Sequence, residues 1–177
     1  ILSGDALLTL AFEILAQSSP TRRYTVSDAI QELARASGSI GMIAGQVADM
    51  QAEGSQQISV KQLQYIHASK TAALLSCSLR LGAMSANAPP ARLQALSEFG
   101  RHVGLAFQVV DDILDVTQSS DQLGKTAGKD QAAAKATYPA LMGLSRSRRQ
   151  AARLTHKAFD AIKPFGAKAK ALHAMAD

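Results

Sequence analysis

The sequence has no tryptophan, few aromatic residues of any kind (5%), and one cysteine in 177 residues. Scarce aromatics beside abundant alanine suit close-packed helices better than a β-sandwich. The lone Cys77 excludes an intrachain disulfide, and within ALLSCSL it reads as a small core hydrophobe rather than a nucleophile. This cysteine usage is compatible with a reducing, cytoplasmic setting. No apolar run approaches the roughly 20 residues that span a bilayer, and no signal peptide is visible. There is no Gly-rich nucleotide loop and no GxSxG nucleophile motif. His67, His102, His156 and His173 share no metal-ligand spacing and read as structural. The formal charge of +5 is spread along the chain, with no aromatic interleaving and no nucleic-acid motif. Its densest cluster, Arg146, Arg148, Arg149 and Arg153, winds around a helix and reads as a solvated surface. Nucleic acid is therefore not an expected partner.

What remains is a helical pattern. Asp5 to Ala16 reads as one helix, with Leu7, Leu8, Ala11, Phe12 and Leu15 at apolar spacing. Thr25 to about Glu53 reads as a second, long helix, with Ser27 as a plausible cap. Gly38, Gly41 and Gly45 interrupt it, at a cost of about 1 kcal/mol each, and close approach by a neighbouring helix or ligand is the expected compensation. Gly54 ends it. Ser59 to about Met84 reads as a third helix, capped by Ser59, and Ala91 to Val116 as a fourth, started after the NAPP turn. Thr117 to Lys129 is a polar loop. Ala132 to Ile162 is helical, with Pro139 expected to kink or divide it, and Pro164 and Gly166 precede a last short helix. There is no period-two strand pattern, no internal repeat and no domain boundary. The expectation is a single all-α domain over residues 1–177. The chain opens on Ile1 and stops on Asp177, both inside helical patterns, so it is expected to be a piece of a longer polypeptide.

The most informative residues are Asp111, Asp112 and Asp115, in FQVVDDILDV. At about 100° per residue, Asp111 and Asp115 stack on one helix face, flanked by Asp112 and joined by Gln108. Like charges within one turn repel, and on an apolar helix the penalty grows unless a cation neutralises them. All-oxygen ligands favour a hard divalent ion such as Mg²⁺. The competing reading is an exposed acidic face, against which stand the apolar neighbours Phe107, Val109, Val110, Ile113 and Leu114. Lys125, in LGK, and then Lys129 and Lys135 follow, and either return to the same site to meet a phosphate or lie in solvent. Lys70 and Thr71 sit in a largely apolar helix, where a lysine snorkels outward or meets an anion. Asp49 and Glu53 could bind metal, hold a basic group or face solvent. Carboxylates, Mg²⁺ and lysines together suit a polyphosphate leaving group, set in a dry apolar pocket where a carbocation escapes water.

On these residues the chain resembles the trans-isoprenyl diphosphate synthases, most closely the bacterial-type farnesyl (geranyl) diphosphate synthase branch. The matching segments are GDALLTLAFEIL, GQVADMQAEG, IHASKTAALLSCSLRLGA, GLAFQVVDDILDV and LGKTAGKDQAAAKATYPAL, in the family's order. The resemblance implies an all-helical bundle around a central cavity, usually a homodimer using Mg²⁺. It implies addition of isopentenyl diphosphate to an allylic diphosphate (dimethylallyl or geranyl), giving farnesyl diphosphate. By position, Asp111, Asp112 and Asp115 resemble the metal ligands. Lys70, Thr71, Gln108, Lys125 and Lys135 resemble the contacts to the allylic diphosphate. Lys70 and Lys125, with Phe107 lining the cavity beside the reacting groups, resemble the catalytic set. The family's first aspartate-rich motif has no counterpart in these residues, so residues 1–177 alone are not expected to turn over. A class I terpene cyclase and a non-catalytic helical subunit of a heteromeric synthase are the alternative readings.

Overall fold

The computed structural model describes residues 1–53, 58–117 and 136–176. Its elements run α1 (Leu2–Ala16), α2 (Val26–Ser37), α3 (Met42–Ala52), α4 (Val60–His67), a π-helical turn (Ala68–Ala72), α5 (Ala73–Ser85) and α6 (Pro90–Thr117). They continue as α7 (Tyr138–Met142), α8 (Leu144–Ile162), a 3₁₀ segment (Lys163–Ala169) and α9 (Lys170–Ala176). Among the described residues there is no strand. No described helix is long and apolar enough to cross a membrane.

Helix α6 is the spine, 28 residues long, about 42 Å at the usual rise. It packs against α8 along one side and α5 along another, with the π turn, α4 and α7 beside its C-terminal half. Leu105, Ala106, Val109 and Ile113 of α6 join Leu63, Ala72, Tyr138, Ala151 and Leu154 in the larger core cluster. A second cluster closes the other end around Phe99, Ala158, Ile162 and Ala169. Burying an aliphatic or aromatic side chain of this kind contributes about 1.5–3 kcal/mol. Arg80 of α5 ties the outer helices together. It donates to both carboxylate oxygens of Glu32 on α2, at 2.6 and 2.8 Å, and to Ser97 Oγ on α6 at 2.7 Å. The hydrogen bond to Glu32 raises the Arg80 pKa further.

The local signals explain most boundaries. Ser59 caps α4 as expected, within a reciprocal box with Gln62. At α2 the cap is Thr25, paired with Asp28, and not Ser27. The long helix expected from Thr25 to Glu53 is two helices. A Cβ on Gly41 would lie 2.1 Å from the Ala36 carbonyl oxygen, so the chain turns there at a residue with no side chain to collide with the backbone. The third expected helix is likewise interrupted, by the π turn. Gly143, at φ 80°, makes the break between α7 and α8, whereas Pro139 sits in the first turn of α7, where its missing N–H costs little. The residues expected to form the polar loop fall largely outside the described residues, as does Gly54.

Gly45 keeps the role expected of it. A Cβ there would meet the Lys70 backbone nitrogen at 2.2 Å, so α3 and the π turn touch through bare backbone. Gly104 makes the same contact from α6, where a Cβ would lie 2.6 Å from Ala72 Cα. Cys77 is buried in α5, and desolvation pushes its thiol pKa up to about 11, as suits a core residue.

Gly45→Ala is expected to destabilise the fold by about 1–3 kcal/mol or more, because backbone must move to admit a methyl group. Gly82→Ala in α5, where a Cβ meets open space, is expected to stabilise it by about 0.5–1 kcal/mol. Urea midpoints that shift alike for both variants would contradict this packing. A second expectation concerns His102, buried on α6. Desolvation lowers its pKa below 6.5, helped by Arg101 and Lys157 and opposed by Glu98. The unfolded chain therefore binds the proton more readily. The stability that depends on neutral His102 is complete above about pH 6.5 and is lost as pH falls through the lower folded value. Between about pH 7.5 and about pH 5, the wild type should lose more stability than His102→Gln. Parallel curves would show that His102 is not the group responsible.

Candidate functional site

The π turn places Lys70 and Thr71 between α3 and α6. A π turn inserts one extra residue into a helix and re-aims the side chains around it. Lys70 Nζ donates to Asp49 Oδ2 at 2.6 Å, which settles the Asp49 alternatives in favour of a basic partner. Asp49 is nearly buried, whereas the Lys70 side chain remains 35% exposed. Gln108 lies one helical turn beyond Gly104, the residue that touches the π turn. Close approach at Gly104 thus brings Gln108 and the acidic turn of α6 toward Lys70.

The three aspartates occupy three environments. Asp111 is half-buried, on the same side as Gln108. Asp112 is 4% exposed and shares the core face of Val109 and Ile113. Its Oδ2 accepts the backbone N–H of Tyr138 at 2.8 Å, so it anchors the start of α7. Burial pushes the Tyr138 phenol up to about 12, with the Asp112 charge adding to the effect. Asp115 is 6% exposed, and its Oδ2 is buried with no hydrogen-bond partner among the described residues. A buried carboxylate oxygen without a donor is costly unless something binds it. Among the described residues, no group of three or more His, Cys, Asp or Glu is arranged to hold a metal ion. Asp112 is engaged with the chain itself through its bond to the Tyr138 N–H, and Asp111 and Asp115 lie one helical turn apart beside it.

Phe107 is 59% exposed and Val110 41%, so the flank of α6 beside Asp111 is apolar and open. Lys125 and Lys135 lie outside the described residues. The histidines are structural, as expected. His67 packs its ring on Tyr138 at 5.6 Å, and His173 on Phe159 at 4.7 Å. His102 lies against Glu98, and His156 against Asp160. The arginines at 146, 148, 149 and 153 are exposed on α8. Sequence reasoning missed Tyr138 as the partner of Asp112, because the two are 26 residues apart and the contact uses a backbone N–H.

Three comparisons bear on this arrangement. The family model described as polyprenyl synthetase matches residues 1–175. A chloroplastic geranylgeranyl pyrophosphate synthase of Capsicum annuum is 45% identical over 182 residues, covering 100% of this chain and 48% of that protein. A dimethylallyltranstransferase of Fischerella ambigua is 45% identical, covering 100% of this chain and 51% of that protein. The chain thus spans about half the length of the curated relatives it matches. A solved geranyltransferase of Helicobacter pylori, complexed with magnesium and isoprenyl diphosphate, superposes with a TM-score of 0.79 at 34% identity. That match covers 94% of this chain and 54% of the other.

The unequal environments make the aspartates separable by mutation. Asp112→Ala is expected to cost about 1.5–3 kcal/mol of stability, since it leaves the buried Tyr138 N–H without its charged acceptor. Asp111→Asn, which keeps the side chain's size on the half-exposed side, is expected to cost less than Asp112→Ala. Thermal or urea unfolding of the two variants decides it, and equal losses would contradict the division of roles.

Proposed function

The chain belongs to the polyprenyl synthetase family, and we propose that these residues form the diphosphate-ionising half of a trans-prenyl transferase site. The observation that supports the reading is the buried oxygen of Asp115, which has no donor among the described residues, on the helix that also carries Asp111 and Gln108. The reaction is the addition of isopentenyl diphosphate to an allylic diphosphate. The allylic carbon–oxygen bond breaks, its electron pair leaves with pyrophosphate, and the isopentenyl double bond attacks the resulting carbocation. The attacking electron pair becomes the new carbon–carbon bond, and loss of a proton from the tertiary carbocation so formed gives the new double bond.

Each residue has a place in that chemistry. Asp111, Asp112 and Asp115 would hold Mg²⁺, Asp112 through the oxygen that Tyr138 does not use. Magnesium, when bound, supplies positive charge to the departing diphosphate. Lys70 and Thr71 offer an ammonium and a hydroxyl to the same anion, and Gln108 offers its amide. Lys125 and Lys135 are proposed to join them, on the strength of the family resemblance. Phe107 and Val110 provide an apolar wall that keeps water from the cation. Asp112 supports the site from behind, by holding the start of α7. Farnesyl diphosphate as product and a homodimeric assembly are the expectations carried by the resemblance.

Asp111→Asn in the full-length polypeptide is expected to lower condensation by at least ~100-fold, the scale of losing a principal electrostatic stabiliser. A near-normal rate would count heavily against the metal assignment. Residues 1–177 alone are expected not to condense the two diphosphates, and a normal rate from them would overturn the half-site reading. Product analysis is expected to return a longer prenyl diphosphate, with farnesyl separated from geranylgeranyl by chromatography. Hydrocarbon released from farnesyl diphosphate alone would identify a terpene cyclase instead.

A further inference from the structure

We infer that Asp49 is a positioning residue: its carboxylate fixes the Lys70 ammonium in the place where that lysine meets a diphosphate. The inference rests on the diphosphate reading given above and names the device that sets its geometry.

Helix α3 grips Lys70 at both ends. Gly45 lies against the Lys70 backbone, where a Cβ would come within 2.2 Å of the nitrogen. Asp49, one helical turn further along the same face of α3, accepts from Nζ at 2.6 Å. The side chain between them is a four-carbon stem with many rotamers, and freezing it on ligand binding would cost entropy at that moment. The contact with Asp49 freezes it beforehand. It uses one of the three ammonium donors and leaves two for anion oxygens.

The charges argue the same way. Asp49 brings a nearly buried negative charge toward a site for a polyanion, which can only weaken the attraction of Lys70 for that anion. A site built for tight binding alone would leave Lys70 unpaired. Nor is stability a sufficient reason, because an ion pair with one partner about a third exposed adds little. Position is what the pair supplies. The π turn at Ala68–Ala72 fits this role, since it sets the lysine between the helix that orients it and the helix that carries Gln108 and Asp111.

The test uses the full-length polypeptide and four variants: Asp49→Asn, Asp49→Glu, Lys70→Met and Asp49→Asn with Lys70→Met. Asp49→Asn is expected to lower kcat by about 10- to 100-fold, the scale of a misplaced group. Its KM for the allylic diphosphate should stay the same or fall, and calorimetry should show magnesium pyrophosphate bound equally or more tightly. In the Lys70→Met background, Asp49→Asn should change either quantity by less than about twofold. Asp49→Glu keeps the charge but displaces the ammonium, so kcat should fall while pyrophosphate affinity holds. That variant also decides the matter if Asp49→Asn does not fold. The inference is overturned if Asp49→Asn loses as much with Lys70 absent as present, or if kcat survives both Asp49 changes. A wild type that turns over without this coupling sinks the Asp49 inference alone. A wild type that binds magnesium pyrophosphate with the coupling, but condenses nothing, sinks the transferase reading alone. One that binds no pyrophosphate sinks both.

Discussion

The contact on which the rest of the site depends is bare backbone against backbone, where the π turn fits between α3 and α6. Gly45 and Gly104 bring no side chain of their own to those interfaces, and any Cβ there would lie well inside van der Waals distance of its neighbour. Because the helices approach so closely, short side chains reach across. Asp49 needs no more than its own length to hold Lys70 at 2.6 Å. The glycines cost helix propensity locally, and the packing they permit offsets that cost.

Identical side chains do different work on α6 because the helix divides them among surroundings. The core face that carries Val109 and Ile113 also carries Asp112, so its carboxylate is spent on the Tyr138 N–H. Asp115 is equally buried but has an oxygen without a donor among the described residues, which is the electrostatic condition that favours a cation. Asp111 is partly open beside the apolar flank of Phe107 and Val110. A cation held by the acidic motif would thus sit where charge and grease meet, the environment that prenyl-transfer chemistry requires. One residue of the motif, Asp112, also braces the fold.

Much of this was legible before any coordinates. The apolar spacing placed α1 and α6 within a few residues of their observed bounds, and the Ser59 cap was identified from its side-chain chemistry. The GQVAD and SKTAA segments, both singled out in the sequence, meet in the fold through Asp49 and Lys70. The misplaced features share one cause. Periodicity reads α2 with α3, and α4 with α5, as continuous, since the Gly41 break and the π turn barely disturb the apolar spacing. Cap competition between Thr25 and Ser27 turns on which residue has an acid three positions on, and only Thr25 does.

By itself the sequence determined that the chain is helical, that an acidic turn lies inside an apolar helix, and that lysines follow it in the chain. Those are local properties, set by side-chain type and spacing, and they follow from propensity and charge. Only the tertiary structure decided which carboxylate is buried against a backbone N–H, which one lacks a donor among the described residues, and that Asp49 belongs to Lys70. Each of those pairings joins residues at least 21 positions apart or depends on what surrounds them, and no spacing along one helix encodes what a second helix brings to its face.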